Sequence, residues 1–279
     1  MSHKVWFITG TSKGFGRVWA EAALARGDQV AATARNTEAL SGLTERYGKQ
    51  VAALKLDVTN KAAVQAAITE THQRFGRLDV VINNAGYGLF GAVEEVNEKE
   101  ARAQIETNLF GALWVTQAAL PIMRAQGSGH IIQVSSIGGV NAFPTIGLYH
   151  ASKWGLEGFS QALATEVAPF GIKVTIVEPG GYATDWGGTS AVRAAPISAY
   201  DAVRERIAAF RSNNVPGDPA ATGPAILKVV DAQEPPLRIF FGSGGLPMTR
   251  AEYGRRIETW EKWNAISVEA QGKLAAKPQ

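Results

Sequence analysis

Tyr149 and Lys153 stand four residues apart in a helical stretch and so share one of its faces. A lysine cation beside a phenol favours the phenolate and draws its pKa down from about 10. Such a phenol can exchange a proton with an alcohol or carbonyl oxygen. Alone, this spacing is common on helix surfaces. Here it follows an apolar run ending Val134-Ser135-Ser136, and thirteen residues separate Ser136 from Tyr149. That is enough chain to bring a serine and the tyrosine to the carboxyl edge of one sheet, where ligands bind in open α/β folds.

A second constellation lies near the start. Thr9-Gly10-Thr11-Ser12-Lys13-Gly14-Phe15-Gly16 follows an apolar strand and opens a helix. Glycine suits a backbone that turns tightly and approaches a pyrophosphate, and the helix N-terminus offers free N–H groups to the phosphates. The spacing is Gly-x3-Gly-x-Gly, so neither the general dinucleotide fingerprint nor the P-loop pattern is met. The second strand ends Ala32-Thr33-Ala34-Arg35, with no acid to hold a ribose 2′-hydroxyl. Arg35, with Lys13 from the turn, suits a 2′-phosphate instead. NADP(H) is therefore expected in preference to NAD(H). Asp57 could accept from an adenine amino group or equally cap the turn before Asn60.

The elements that must position these groups alternate along the chain. Apolar runs at 5–9, 30–33, 53–56, 80–83, 131–135, 174–177 and 237–241 read as strands covered on both faces. Helical patterns at 15–26, 37–47, 61–75, 98–124 and 149–168 lie between them, with Asn36 and Asn60 as N-caps. This predicts an α/β fold: one Rossmann-type domain over 1–279, with a doubly wound, seven-stranded parallel sheet and helices on both faces. The 279 residues are 46% hydrophobic and contain no cysteine, which excludes disulfides and a cysteine nucleophile. With 28 basic and 25 acidic residues, charge gives no reason to expect a nucleic-acid or membrane partner. His3, His72, His130 and His150 show no ligand spacing, so no metal is expected. No targeting segment or membrane helix is visible, and a cytoplasmic protein is expected.

In joint order and spacing these motifs resemble the short-chain dehydrogenase/reductase family, over about residues 4–185. The resemblance rests on the turn at 9–16, Asp57, Asn83-Asn84-Ala85-Gly86, Asn108, Ser136, Tyr149-x3-Lys153, and Pro179-Gly180 with Thr184. Asn84-Ala85-Gly86-Tyr87-Gly88 and Glu178-Pro179-Gly180-Gly181-Tyr182 are most similar to the hydroxysteroid-dehydrogenase-like and bacterial ketoreductase branch. The resemblance implies a Rossmann oxidoreductase in which Tyr149 donates or accepts the proton. Lys153 would hold the nicotinamide ribose and bias Tyr149, and Ser136 would bind the substrate oxygen. Asn108 would kink its helix and hold a water leading to Lys153. Gly10, Ser12, Lys13, Gly14, Phe15, Gly16, Arg35, Asp57, Val58, Asn84, Ala85, Gly86, Pro179, Gly180 and Thr184 would border the cofactor. Ser135 is the rival serine, but its spacing to Tyr149 fits less well. Relatives are often dimers or tetramers, so a homodimer or homotetramer is an expectation here too.

Two regions break the rhythm. Residues 185–223, rich in glycine and proline around an amphipathic piece at 200–210, read as a substrate lid or as a plain surface excursion. The tail at 248–279, with Tyr253, Trp260 and Trp263, reads as a helix packing on the body or on a neighbour. Val140, Phe143, Tyr87, Tyr182 and Trp186 are candidate pocket residues beside Ser136, and such a lining suits a hydrophobic ketone, aldehyde or secondary alcohol. The rival function on the same fold is a non-catalytic NADP(H)-binding sensor or scaffold.

Overall fold

The computed structural model describes residues 3–212 and 215–272. In chain order the strands are β1 (Val5–Ile8), β2 (Gln29–Ala34), β3 (Val51–Lys55), β4 (Val80–Asn83), β5 (Leu89–Phe90), β6 (Gly129–Val134), β7 (Ile172–Pro179), β8 (Val192–Arg193) and β9 (Arg238–Phe241). The helices are α1 (Gly14–Ala25), α2 (Ser41–Tyr47), α3 (Lys61–Phe75), α4 (Glu98–Ile105), α5 (Gly111–Gln126), α6 (Gly147–Val167), α7 (Asp201–Ser212), α8 (Thr222–Asp231) and α9 (Gly245–Gln271). Seven strands form one sheet in the order β3-β2-β1-β4-β6-β7-β9. Every neighbouring pair in it is parallel. The order reverses between β1 and β4, which opens a crevice at their carboxyl ends.

The lack of polar alternation in the strands has a direct cause. Trp6 and Ile8 of β1 pack on one side with Trp19, Leu24 and Ile226, while Phe7 packs on the other with Ile68, Val115 and Leu163. Both faces are covered, so successive side chains are all apolar. Asn60 caps α3 through Ala63 N at 3.0 Å, and Asn36 accepts from Glu38 N at 3.0 Å, as the capping pattern predicts.

Three features depart from the sequence-based expectation. The helix expected over 98–124 is interrupted by a π-helical turn at Glu106–Phe110. A helix the sequence did not predict, α8, begins at the last two residues of the 185–223 stretch; its Pro224 sits in the first turn, where no backbone donor is lost. It earns its place by burying Ile226, Val229 and Val230 and by Thr222, whose hydroxyl accepts from Trp19 Nε1 at 2.8 Å. The tail helix α9 is anchored only at its start, through Asn141 Nδ2 to Thr249 Oγ1 at 2.8 Å and Arg256 over the Trp154 ring at 4.8 Å. From 257 to 271 every residue is exposed, so this stretch does not pack on the body. The side chain of Phe210, in the amphipathic piece at 200–210, lies outside the described residues, as does the tail beyond 272.

Candidate active site

The glycine turn is held by its neighbour strand. The Thr9 hydroxyl accepts from Asn84 N and Ala85 N, both at 2.9 Å. Asn84 Nδ2 donates back to Thr9 O at 2.9 Å and Gly10 O at 3.0 Å. Thr11 Oγ1 donates to Thr33 O at 3.0 Å, closing the turn on β2. Gly10 and Gly14 have φ of +69° and +61°, where a side chain is strained. At Gly16 a Cβ would stand 2.3 Å from Gly10 O and 2.6 Å from Asn84 Nδ2. No side chain caps the first turn of α1, which leaves its N–H groups facing the crevice mouth. Ser12, Arg35 and Asp57 are exposed at the rim. Asp57 Oδ1 accepts from Thr59 N and Oγ1 at 3.0 and 2.8 Å, so it does close the local turn. Val58 is buried against Gly111.

At the end of β6, Ser136 stands beside the phenol of Tyr149, which is only 6% exposed. Ser135 instead lies against Glu157, on the far side of Gly139. Lys153 Nζ donates to Val134 O at 2.7 Å and stands 5.8 Å from the Tyr149 ring centroid. Asn108, in the π-helical turn, accepts from Tyr87 N at 3.1 Å and donates to Tyr87 O at 3.0 Å and Ser152 Oγ at 3.2 Å. A Cβ on Gly86 would lie 3.1 Å from Asn108 Oδ1 and 3.7 Å from Lys153 Nζ, so these three meet at the crevice wall. The π turn turns Asn108 inward, a recurrent use of such turns.

The same order of motifs is found in known proteins. A family model for the short chain dehydrogenases matches residues 4–193. The chain belongs to the short-chain dehydrogenase family. It is 43% identical over 272 residues to oxidoreductase BOA17 of Botryotinia fuckeliana, covering 95% of this chain and 98% of that one. The crystal structure of a short-chain dehydrogenase from Streptomyces avermitilis superposes with a TM-score of 0.90 at 40% identity, over 96% of this chain and 98% of that one. ElxO with NADP bound superposes with a TM-score of 0.74 at 25% identity, over 88% of this chain and 100% of that one. Membership of this family makes the chain an oxidoreductase.

In this dehydrogenase the electrostatics of the tyrosine differ from the expectation drawn from Tyr149-x3-Lys153. Burial pushes the Tyr149 phenol up to about 12, with only the neighbouring Ser136 hydroxyl working against it. Lys153 does not lower it, because its ammonium points at Val134 O. Burial also pulls Lys153 down to about 8, opposed by the charge of Glu157 one turn along α6. The phenol is thus held neutral, poised as a proton donor.

The candidate pocket residues divide. Trp186 sets its edge on Tyr149 at 4.9 Å and packs on Phe90 at 5.2 Å. Asp185 beside it ion-pairs with Lys13 and accepts from Thr189 N at 3.0 Å, so the segment after β7 is tied to the glycine turn. These contacts hold the Asp185 carboxyl well below the usual range. Thr184 caps this short turn through Trp186 N, and Pro179-Gly180 joins β9 by Gly180 N to Phe241 O at 2.9 Å. Tyr182 does not approach Tyr149: it packs edge-on against Phe15 at 5.1 Å. Phe143 packs on His150 at 5.5 Å, Val140 is buried, and Tyr87 is half-buried beside Asn108. A cavity of about 410 Å³ opens beyond Phe90, lined by Thr145, Arg193, Pro196, Arg204 and Ile207.

Sequence reasoning missed His150 and Asp185. His150 accepts from Phe143 N at 2.8 Å and bonds Gly138 O through Nδ1 at 2.7 Å, pinning the loop after Ser136 onto α6. Only the neighbour relation to Tyr149 could have flagged it. Behind the site, Arg238 Nε lies 3.0 Å from Glu157 and 3.6 Å from Glu178. Burial, then the charge of Glu157, pushes Glu178 up to about 8 from an ordinary 4.5. The folded chain therefore holds a proton that the unfolded chain releases between about pH 4.5 and 8, and stability falls as pH rises across that window. Glu178→Gln removes this penalty. Thermal melts should show little gain near pH 4.5 and a gain of several degrees by pH 8, at about 2–4 °C per kcal/mol. An equal gain at both ends of the window would contradict the assignment.

Proposed function

We propose that this chain is an NADP(H)-dependent carbonyl reductase or alcohol dehydrogenase acting on a hydrophobic ketone, aldehyde or secondary alcohol. The observation that carries the proposal is the buried, neutral Tyr149 phenol beside Ser136, with Lys153 on the same helix face. When bound, the nicotinamide cofactor supplies or takes up the hydride. The glycine turn fits such a cofactor: two glycines at positive φ, a third that no side chain could replace, and uncapped helix N–H groups. Gly10, Ser12, Gly14, Phe15, Gly16, Asn84, Ala85 and Gly86 would border it on one side, and Pro179, Gly180 and Thr184 on the other. Asp57 and Val58 would border the adenine.

Ser136 donates to the carbonyl oxygen of the substrate and steadies it. Tyr149 gives its proton to that oxygen in reduction and takes one back in oxidation. Lys153 holds the cofactor ribose from the same helix face; Asn108 keeps the crevice wall against it. Trp186 and Phe90 exclude water from the reacting oxygen. The cavity past Phe90 offers an apolar substrate tail a place to lie.

The deciding experiment follows NADPH absorbance with the purified chain against a panel of ketones and aldehydes, including steroids and keto esters. Turnover of at least one class is expected; none across the panel would favour a cofactor-binding sensor. Cofactor choice has its own test. Arg35 is exposed at the end of β2, and its charge reaches the Tyr87 phenol across the crevice. Arg35→Ala should cut kcat/KM for NADPH about tenfold or more while sparing NADH, since one charge-assisted phosphate contact contributes roughly 1.5–3 kcal/mol. An unchanged NADPH-to-NADH ratio would contradict the preference.

A further inference from the structure

Arg193 lines the cavity beyond Phe90 and is held there without an acid. It sits on β8, in register with Phe90 of β5, so the two side chains form a cross-strand pair. Its guanidinium lies over the Phe90 ring at 4.9 Å and donates from Nη2 to Gly187 O at 2.8 Å. Among the described residues its partners are thus a ring and a carbonyl, neither of them anionic. A guanidinium has five N–H donors, so most of them stay open to a ligand.

The other charged groups of the cavity are engaged with one another. Glu95 accepts from Ala92 N at 2.6 Å, Ile197 N at 2.7 Å and Arg204 Nη1 at 2.5 Å. Arg204 gives its second amino group to Ile197 O at 2.6 Å and Asp201 Oδ1 at 2.5 Å. What remains is a space of about 410 Å³ with apolar walls from Phe90, Pro196 and Ile207 and the cation of Arg193. Small-molecule sites run from about 300 to 1,000 Å³. Thr145, on the wall, has φ of +64°, the one positive value at a non-glycine among the described residues, and its carbonyl accepts from Gly91 N at 2.7 Å. Backbone of that kind persists where the surroundings fix it, ligand clamps among them. The cavity is two ring contacts from the phenol: Phe90 to Trp186 at 5.2 Å, then Trp186 to Tyr149 at 4.9 Å.

We propose that this cavity takes the far end of the substrate and that the substrate is an oxo acid, an apolar chain with its carbonyl at Tyr149 and its carboxylate on Arg193. A planar guanidinium matches a carboxylate through two parallel hydrogen bonds. A phosphate dianion calls for a second cation, and Arg204 is already committed to Glu95 and Asp201. The placing of the carbonyl rests on the catalytic reading above; the binding of the carboxylate does not.

Calorimetry on the full chain at neutral pH, with no cofactor added, compares decanoate with decanamide, the same chain without a charge, and with decylamine. Decanoate should bind at least about tenfold more tightly than either. Arg193→Gln should abolish that preference at an unchanged melting temperature, since the side chain is exposed. Arg193→Lys should keep part of it, because the charge stays while the paired geometry goes. Turnover then places the carboxylate in the reaction. A medium-chain acid with a methyl ketone at its far end should exceed its own methyl ester about tenfold in kcat/KM, and Arg193→Gln should level the two. Equal affinity for decanoate and decanamide, or a preference that survives Arg193→Gln, would overturn the proposal, as would an ester turned over as well as its acid. Turnover of neutral ketones beside equal affinities leaves the catalytic reading standing without this site. A carboxylate preference that depends on Arg193, with no ketone turned over, keeps the anion site and removes the catalytic reading.

Discussion

Tyr149→Phe should lower turnover by a factor of about 10²–10⁴ and leave NADPH binding within a few-fold of the wild type. The substitution removes one oxygen and nothing else. The ring keeps its edge contact with Trp186 at 4.9 Å, and the backbone of α6 is untouched. What goes is the proton held on a phenol that burial keeps neutral. Binding should survive because the glycine turn is built by Thr9, Asn84 and the first turn of α1, not by Tyr149. Stopped-flow turnover with the best ketone of the panel, beside a fluorescence titration with NADPH, separates the two effects. Near-full turnover would remove Tyr149 from the chemistry and return the site to the sensor alternative. Ser136→Ala should show a smaller loss of the same kind, since it removes a donor to the oxygen and not the proton source.

Gly16→Ala should raise the dissociation constant for NADPH at least about 100-fold, a loss of roughly 2.7 kcal/mol or more. The added carbon would sit 2.3 Å from Gly10 O, a distance no carbon–oxygen contact tolerates, so Gly10 or α1 must move. Gly10 is also held by Asn84 Nδ2, itself 2.6 Å from the same point. Displacement therefore spreads from the turn to the end of β4, which brackets the crevice. Circular dichroism and a thermal melt distinguish this local shift from global unfolding. Gly48→Ala is the control: Gly48 has φ of +53° and open space around its Cβ, so it should cost stability alone, on the order of 1 kcal/mol. Wild-type affinity in a folded Gly16→Ala protein would mean that the turn is not where the cofactor lies.

Much of this was legible along the chain because it depends on near neighbours. Strand–helix alternation, the N-caps at Asn36 and Asn60, the glycine turn and the four-residue step from Tyr149 to Lys153 are all local patterns. The parallel sheet follows from them, since apolar strands joined through helices have few other ways to be covered on both faces. Less was legible where turn chemistry misleads. The stretch 185–223 read as an excursion, yet its last two residues, Thr222 and Gly223, open α8, because Pro224 in a first turn breaks nothing. The π turn around Asn108 leaves no mark in the hydrophobic period of 98–124.

The sequence by itself determined the family and the order of the sheet-forming segments along the chain, and it singled out Tyr149 and Lys153 as candidates, with two serines in competition. Only the tertiary structure decided what state those groups are in and who their partners are. Lys13 meets Asp185 across 172 residues, Trp186 rather than Tyr182 covers Tyr149, and Ser136 rather than Ser135 reaches the phenol. Tyr149 is held up and Lys153 pulled down by burial, a property of everything packed around them. Spacing along a chain reports which groups share a face. Desolvation and long-range pairing depend on which elements close over that face, and those are set by the folded whole.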